Sequence, residues 1–208
     1  YEGNGIIGLT GGEPTLFWDA FLSFAQMISK LEQFQFHLLS HGRTFAATEK
    51  VQALVDCGFV DKTLFGIPIH GPNDLIHDQV TGQISSFDQT MTGIQNLAFV
   101  GAAIELRLIF TQQMAPVLAE TVEMLWSHFR WIRPTIAIMQ LESVGWGNKH
   151  YESLYVDPSQ ELFGFEKLEG FTQRTGCNLA LYNFPLCQLP TSMRKFAHQS
   201  ISDWKNYF

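Results

Sequence analysis

Gly5-Ile6-Ile7-Gly8-Leu9-Thr10-Gly11-Gly12-Glu13-Pro14-Thr15-Leu16 is the stretch on which the reading of this chain turns. Its first five residues are apolar enough for a strand, and Gly11 and Gly12 then admit backbone angles closed to other residues. Pro14 fixes the exit of the chain into the next element. From Leu16 to Phe34 apolar residues return at helical spacing, at Phe17, Phe21, Phe24, Ile28 and Leu31. A strand, a tight turn carrying a carboxylate and a helix therefore succeed one another. Such a turn leaves amides and carbonyls uncovered beside Glu13, a setting able to hold an ammonium group. A bare Gly-Gly before a solvated Glu would be no more than a tight connection.

The unit repeats. Further strands are predicted at Gln35–Leu39, Leu64–Ile69, Ile104–Phe110, Thr135–Leu141 and Asn178–Phe184. Between them lie a helix from an N-cap at Thr48 to Cys57, stopped by Gly58, and helices at Ser86–Phe99 and Ala115–Phe129. Asp157 or Ser159 caps another that reaches Thr175, residues 70–85 read as a polar loop, and a short last helix covers Ser192–His198. Strand and helix alternating at roughly 30 residues imply parallel strands joined by right-handed crossovers. Polar or Gly-rich motifs come after most strands, which suits a barrel, whose one face collects every such loop, better than a sheet with one crevice. Six strands cannot close an eight-stranded barrel. The expected fold is a single α/β domain over residues 1–208, a partial (β/α) barrel of parallel strands, TIM-barrel-like, with Thr10–Pro14, His70–Asp74 and Glu142–Gly147 at one end. Tyr1 is not an initiator Met and a strand starts almost at once, so the chain is expected to open inside a longer fold, with Gly5–Leu9 at an edge.

Composition narrows the partners. Asp and Glu outnumber Lys and Arg by 20 to 13, a net charge of −7 that argues against nucleic acid, since phosphate binding needs clustered cations. No run approaches the roughly 20 apolar residues of a membrane helix, so no membrane partner is expected. Cys57, Cys177 and Cys187 are an odd, widely spaced set, a poor disulfide framework that suits a reducing cytoplasm.

Arg107 falls in a strand and should face inward, where it needs a partner; Glu105 and Glu142 are the candidates. The pair is either a structural ion pair or, because guanidinium binds carboxylate bidentately, part of a carboxylate clamp. His37 and His41 fall at i and i+4 of a strand, His70 ends the third strand, and His77 lies in its loop. Histidines at strand ends also fit a metal-dependent hydrolase barrel, though no His-x-His pair completes one. His70, beside Gly71 at the barrel mouth, is the best single histidine for a substrate or cofactor contact.

Leu9–Leu16 resembles the Gly-Gly-Glu motif of radical S-adenosylmethionine enzymes. Phe65–Gly71, His77-Asp78 with Ser86–Thr90, Gly93–Leu97, Ile104–Arg107, Met139–Gly145, Tyr182–Cys187 and Ser200–Asn206 are similar, in order, to one branch, the maturases of the His-Xaa-Ser peptide system. The resemblance implies a radical S-adenosylmethionine type barrel and two cofactors, S-adenosylmethionine and a [4Fe–4S] cluster. It also implies a ribosomally made peptide as substrate, with a maturation protein as a further partner. Gly11, Gly12, Glu13 and Pro14 would hold the methionyl end of the cofactor; His70, Arg107, Glu142 and Gly145 would add contacts. In the family, reductive cleavage of the cofactor gives a 5′-deoxyadenosyl radical that abstracts hydrogen from the substrate.

The departures are specific. The family's Cys-x3-Cys-x2-Cys loop, which comes after the first barrel strand, is absent from this chain, so the cluster's ligands are expected outside it and the chain alone is expected to be inactive. The resemblance places Cys187 just before a C-terminal cysteine cluster, as a ligand of an auxiliary centre; a small buried hydrophobe is the plainer reading. Pro68 stands where many members carry a Ser near the ribose, and Val144 where the branch has Thr. A cluster-less paralogue that binds a peptide or partner without chemistry is the alternative, beside the hydrolase.

Overall fold

The computed structural model describes residues 5–198; Tyr1 and the Ser200–Asn206 stretch lie outside them. Seven parallel strands run in sequence order, each hydrogen-bonded to the next, and curl into a half-barrel. They are β1 (Gly5–Leu9), β2 (Phe34–Leu39), β3 (Thr63–Pro68), β4 (Ala103–Phe110), β5 (Thr135–Gln140), β6 (Asn178–Tyr182) and β7 (Ala197–His198). The helices are α1 (Trp18–Ile28), α2 (Thr48–Asp56), α3 (Asp74–Thr81), α4 (Ser86–Phe99), α5 (Leu118–Phe129), α6 (Gly145–Lys149), α7 (Tyr151–Leu154) and α8 (Leu162–Thr175).

Alternation along the strands divides the molecule in two. Ile104, Leu106, Leu108 and Phe110 of β4 enter the apolar layer beneath the helices, where Phe110 meets Phe165 of α8 at 5.4 Å. Phe36, Phe59, Phe65 and Phe45 continue that layer as a chain of ring contacts under the loop after β2. The intervening residues, Glu105 and Arg107 among them, face the concave side. Because every strand is parallel, the loops after β1, β3 and β5 share one end, as expected. β1 pairs only with β2 among the described residues and leaves Ile6 exposed, the edge position its reading required.

Several expectations are corrected. There are seven strands and not six: the helix predicted over Ser192–His198 is a 3-10 turn at Thr191–Phe196, after which Ala197 and His198 add to β6. Buried Met193 and the stacking of His198 on Tyr182, 4.7 Å between rings, hold it there. The loop at residues 70–85 contains α3, whose N-cap Asn73 accepts from the Ile76 N–H. α1 ends at Ile28 because Phe34 already belongs to β2. Thr48 is the first residue of α2 and not its cap, which is Ala47. Asp157 caps the 3-10 turn Pro158–Gln160 ahead of α8 and not α8 itself. His41 lies past the end of β2, His70 past the end of β3, and His77 on α3, where it is buried.

Candidate functional site

The turn after β1 is locked to the turn after β2 through one carboxylate. Glu13 Oε1 accepts from the Thr15 N–H at 3.0 Å and from the hydroxyls of Thr15 and Ser40 at 2.5 and 2.8 Å. Its Oε2 accepts from the His41 N–H at 2.8 Å. His41 Nδ1 accepts from the Arg43 N–H, which places the ring proton on Nε2, 3.4 Å from Glu13 Oε2. Burial alone would raise the Glu13 carboxyl, but the hydrogen bonds from Thr15, His41 and Ser40 outweigh it and hold it below the usual carboxylate range. The His41 turn is itself gripped by α4. A Cβ on Gly93 would sit 2.2 Å from the Gly42 carbonyl oxygen, so only glycine lets the helix lie on that backbone. Thr90 donates to the His41 carbonyl, and Asn96 to those of Phe45 and Ala46.

Across the concave face the bonding is sparse. Arg107 Nε lies 3.2 Å from Glu105 Oε1, and His37 Nε2 lies 3.9 Å from the same oxygen. The Tyr182 hydroxyl reaches Glu105 Oε2 at a long 3.4 Å. Arg107 Nε and His37 Nε2 are buried without a hydrogen-bond partner. Burial, and then the Arg107 charge, push His37 down to about 4, so its imidazole is neutral. Burial raises Glu105 despite the opposing pull of Arg107, Tyr182 and His198.

Both regions open on one cavity of about 510 Å³ at the C-terminal ends of the strands. Gly11, Gly12, Glu13, Arg107 and Glu142 line it together, which unites five of the expected site residues. Thr10, Ser40, His41, Gly66, Pro68, Ile109 and Met139 also line it. Gly11 has φ +137°, and neither Gly11 nor Gly12 has an atom within 4 Å of where a Cβ would stand, so the turn faces open space. Glu142 accepts from Asn183 Nδ2 at 2.6 Å, tying the turn after β5 to the one after β6. Pro14, His70 and Gly145 are not on the cavity wall. Pro14 belongs to the turn, Gly145 opens α6 with φ +53°, and His70 donates its N–H to His77 Nδ1 and packs its ring 5.3 Å from that of His77. Ser40 escaped the sequence reading as a site residue, and His41 was weighed there only as a histidine for a metal; only the fold brings Glu13 to them.

The cysteines do not converge. Cys57 is half-buried past α2 and donates to the Leu54 carbonyl, Cys177 is buried with its thiol pushed up to about 12, and Cys187 is exposed after β6. Among the described residues no three His, Cys, Asp or Glu side chains lie together as a metal site. An open glycine turn and a buried, under-bonded guanidinium on one wall have the chemistry to take an ammonium and a carboxylate, whereas the described residues offer no set of thiolates for an iron–sulfur cluster. No helix among them is long and apolar enough to cross a membrane.

No known family profile matches the chain, and no curated protein does. Solved structures do. The chain is similar to SuiB of Streptococcus suis, at TM-score 0.65 and 13% identity over 95% of this chain and 43% of that one. anSMEcpe, solved with AdoMet and the Kp18Cys peptide bound, matches at TM-score 0.60 and 14% identity over 86% of this chain and 50% of that one. A domain of a pyruvate-formate lyase-activating enzyme from Bacteroides vulgatus matches at TM-score 0.60 and 14% identity, over 86% of this chain and 98% of that domain. The chain spans about half the length of SuiB and anSMEcpe. These likenesses are of fold: the partial barrel of parallel strands expected from the sequence is the fold observed.

Proposed function

We propose that this chain is the barrel body of a radical S-adenosylmethionine enzyme that modifies a peptide. The observation that carries the reading is the meeting of two features on one cavity wall: an open Gly-Gly-Glu turn and a buried guanidinium with donors to spare. The backbone carbonyls of Gly11 and Gly12 would take the methionyl ammonium. Glu13 would fix their geometry, and adds negative potential from a carboxylate already held by four hydrogen bonds. Arg107 would take the cofactor's carboxylate, its planar fork matching the two oxygens. The apolar side chains of Ile109 and Met139 would exclude water beside it. When bound and cleaved reductively, S-adenosylmethionine supplies a 5′-deoxyadenosyl radical that abstracts hydrogen; the protein's share is binding, orientation and exclusion of water.

A peptide substrate accords with the peptide-bound anSMEcpe structure and with the motifs shared with the His-Xaa-Ser maturases. A maturation protein as a further partner, and a reducing cytoplasm as the setting, rest on that resemblance and on the three unpaired cysteines. The test is calorimetric titration of the full-length gene product with S-adenosylmethionine, then iron and sulfide analysis and 5′-deoxyadenosine assay after anaerobic reconstitution. Saturable binding, bound iron and sulfide, and 5′-deoxyadenosine are expected. Binding without iron or product would favour the cluster-less paralogue, and no binding would sink the reading.

A further inference from the structure

Glu105 does not line the cavity, yet it is Arg107's nearest charged neighbour, and both side chains are largely buried, at 8% and 11% exposure. A guanidinium has five donors. Among the described residues Arg107 makes one ion contact, Nε to Glu105 Oε1 at 3.2 Å, and it lacks hydrogen-bond geometry. Taking two charges out of water for so little hydrogen bonding is a poor way to stabilise a fold. What the arrangement does is hold one group in place. Glu105 stands behind Arg107 on the same strand, two residues away, on the same concave face. From the far side of the half-barrel, Tyr182 of β6 reaches Glu105 Oε2. From the near side, His37 of β2 approaches Oε1 across Gly66 of β3. The bare surface of Gly66 makes that convergence possible: a Cβ there would stand 3.0 Å from His37 Nε2 and 3.2 Å from Arg107 Cδ. Three strands thus converge on one carboxylate whose other charged neighbours are the guanidinium facing the cavity and, more distantly, His198 of β7.

We propose that Glu105, held by Tyr182 and flanked by His37 over Gly66, is a positioning residue that sets the Arg107 guanidinium to receive the carboxylate of a bound amino-acid cofactor. The proposal rests on the cavity being the S-adenosylmethionine site and assigns Glu105 no contact with the ligand. It competes with a simpler role, in which Glu105 merely draws on the charge of Arg107 and weakens its hold on any other anion.

The test titrates the full-length gene product with S-adenosylmethionine and with its decarboxylated analogue, S-adenosylmethioninamine, which lacks only the carboxylate. The wild-type protein is expected to favour the former by about tenfold or more, and Arg107→Met to abolish the preference. Glu105→Gln should cut the preference to about threefold or less while leaving the amine's affinity within about twofold, because only the placement of Arg107 changes. Glu105→Asp should restore part of it. Tyr182→Phe, which leaves every charge in place, should reduce it by about two- to threefold, and keeps the test open if Glu105→Gln does not fold. An unchanged or larger preference in Glu105→Gln, or equal losses for both ligands, would overturn the positioning role while leaving the Arg107 contact standing. No preference in the wild-type protein would overturn that contact, and the positioning role with it.

Discussion

Two of the carboxylates at the cavity, Glu13 on its wall and Glu105 behind it, lead opposite lives. Glu13 is saturated: two backbone amides, two hydroxyls and a histidine ring surround it, and its pKa sits below the ordinary range. Glu105 has one distant hydroxyl, one guanidinium contact and a histidine beyond bonding distance, and its pKa sits above it. Hydrogen bonds decide the first case and desolvation the second. The difference separates a scaffold from a poised group. The turn around Glu13 has its geometry whether or not a ligand is present. The Arg107–Glu105 pair keeps unmet donors that a ligand could complete.

The sharpest way to break this comparison is Arg107→Ala. Removing one partner of a buried pair is expected to cost about 3–5 kcal/mol in urea unfolding at neutral pH, because Glu105 is left buried and uncompensated. A loss under about 1 kcal/mol would mean that the pair is solvated and the site not poised. Glu13→Ala should cost less, about 1–3 kcal/mol, and should weaken S-adenosylmethionine binding as the turn loosens. Equal affinity with the wild-type protein would make Glu13 a bystander.

The pH dependence separates the carboxylates by sign. Glu13, lowered in the folded state, contributes stability above the usual carboxylate range that is lost as pH falls through its folded value. Glu105, raised in the folded state, contributes stability in acid that is lost as pH rises through its folded value; His37, Arg107, Tyr182 and His198 are the titratable groups around it. Urea midpoints measured from pH 3 to 8 should therefore show Glu13→Gln flattening the acid-side loss and Glu105→Gln flattening the loss on the rising side. Both variants shifting the same limb would end the distinction. The smallest effect belongs outside both regions: Asn73→Ala should cost about 1 kcal/mol through the cap of α3, with cofactor affinity unchanged.

Legibility in the sequence obeys the same divide. The Gly11–Pro14 turn could be read because its chemistry is local: two glycines, a carboxylate and a proline after an apolar run. The strand–helix alternation was equally plain, since each element carries its own period. β7 was not, because two residues held by a ring stack on Tyr182 have no period of their own. α3 hid behind Gly71-Pro72, and its cap sits in a run of polar residues that reads as loop. Arg107's inward direction is predictable from alternation in β4, which leaves Glu105 and Glu142 as partners; the structure pairs it with Glu105. The convergence of His37 and Tyr182 on that pair is not predictable, because it depends on the curl of the sheet and on the missing side chain at Gly66. His70, which its place after a strand puts at the barrel mouth, packs its ring against that of His77 and is not among the residues lining the cavity.

The central claim is that one cavity, walled by the Gly11–Glu13 turn and by Arg107, takes S-adenosylmethionine. Nitrogen-edited NMR of the full-length gene product, titrated with S-adenosylmethionine, tests it most directly, because the amides of the turn and the Arg107 Nε–H report separately. The expected result is saturable shifts at Gly11, Gly12 and His41 together with the Arg107 Nε–H, all on one binding curve. Shifts confined to the hollow of about 460 Å³ between α4 and α5, around Met91 and Trp131, or none at saturating ligand, would contradict it.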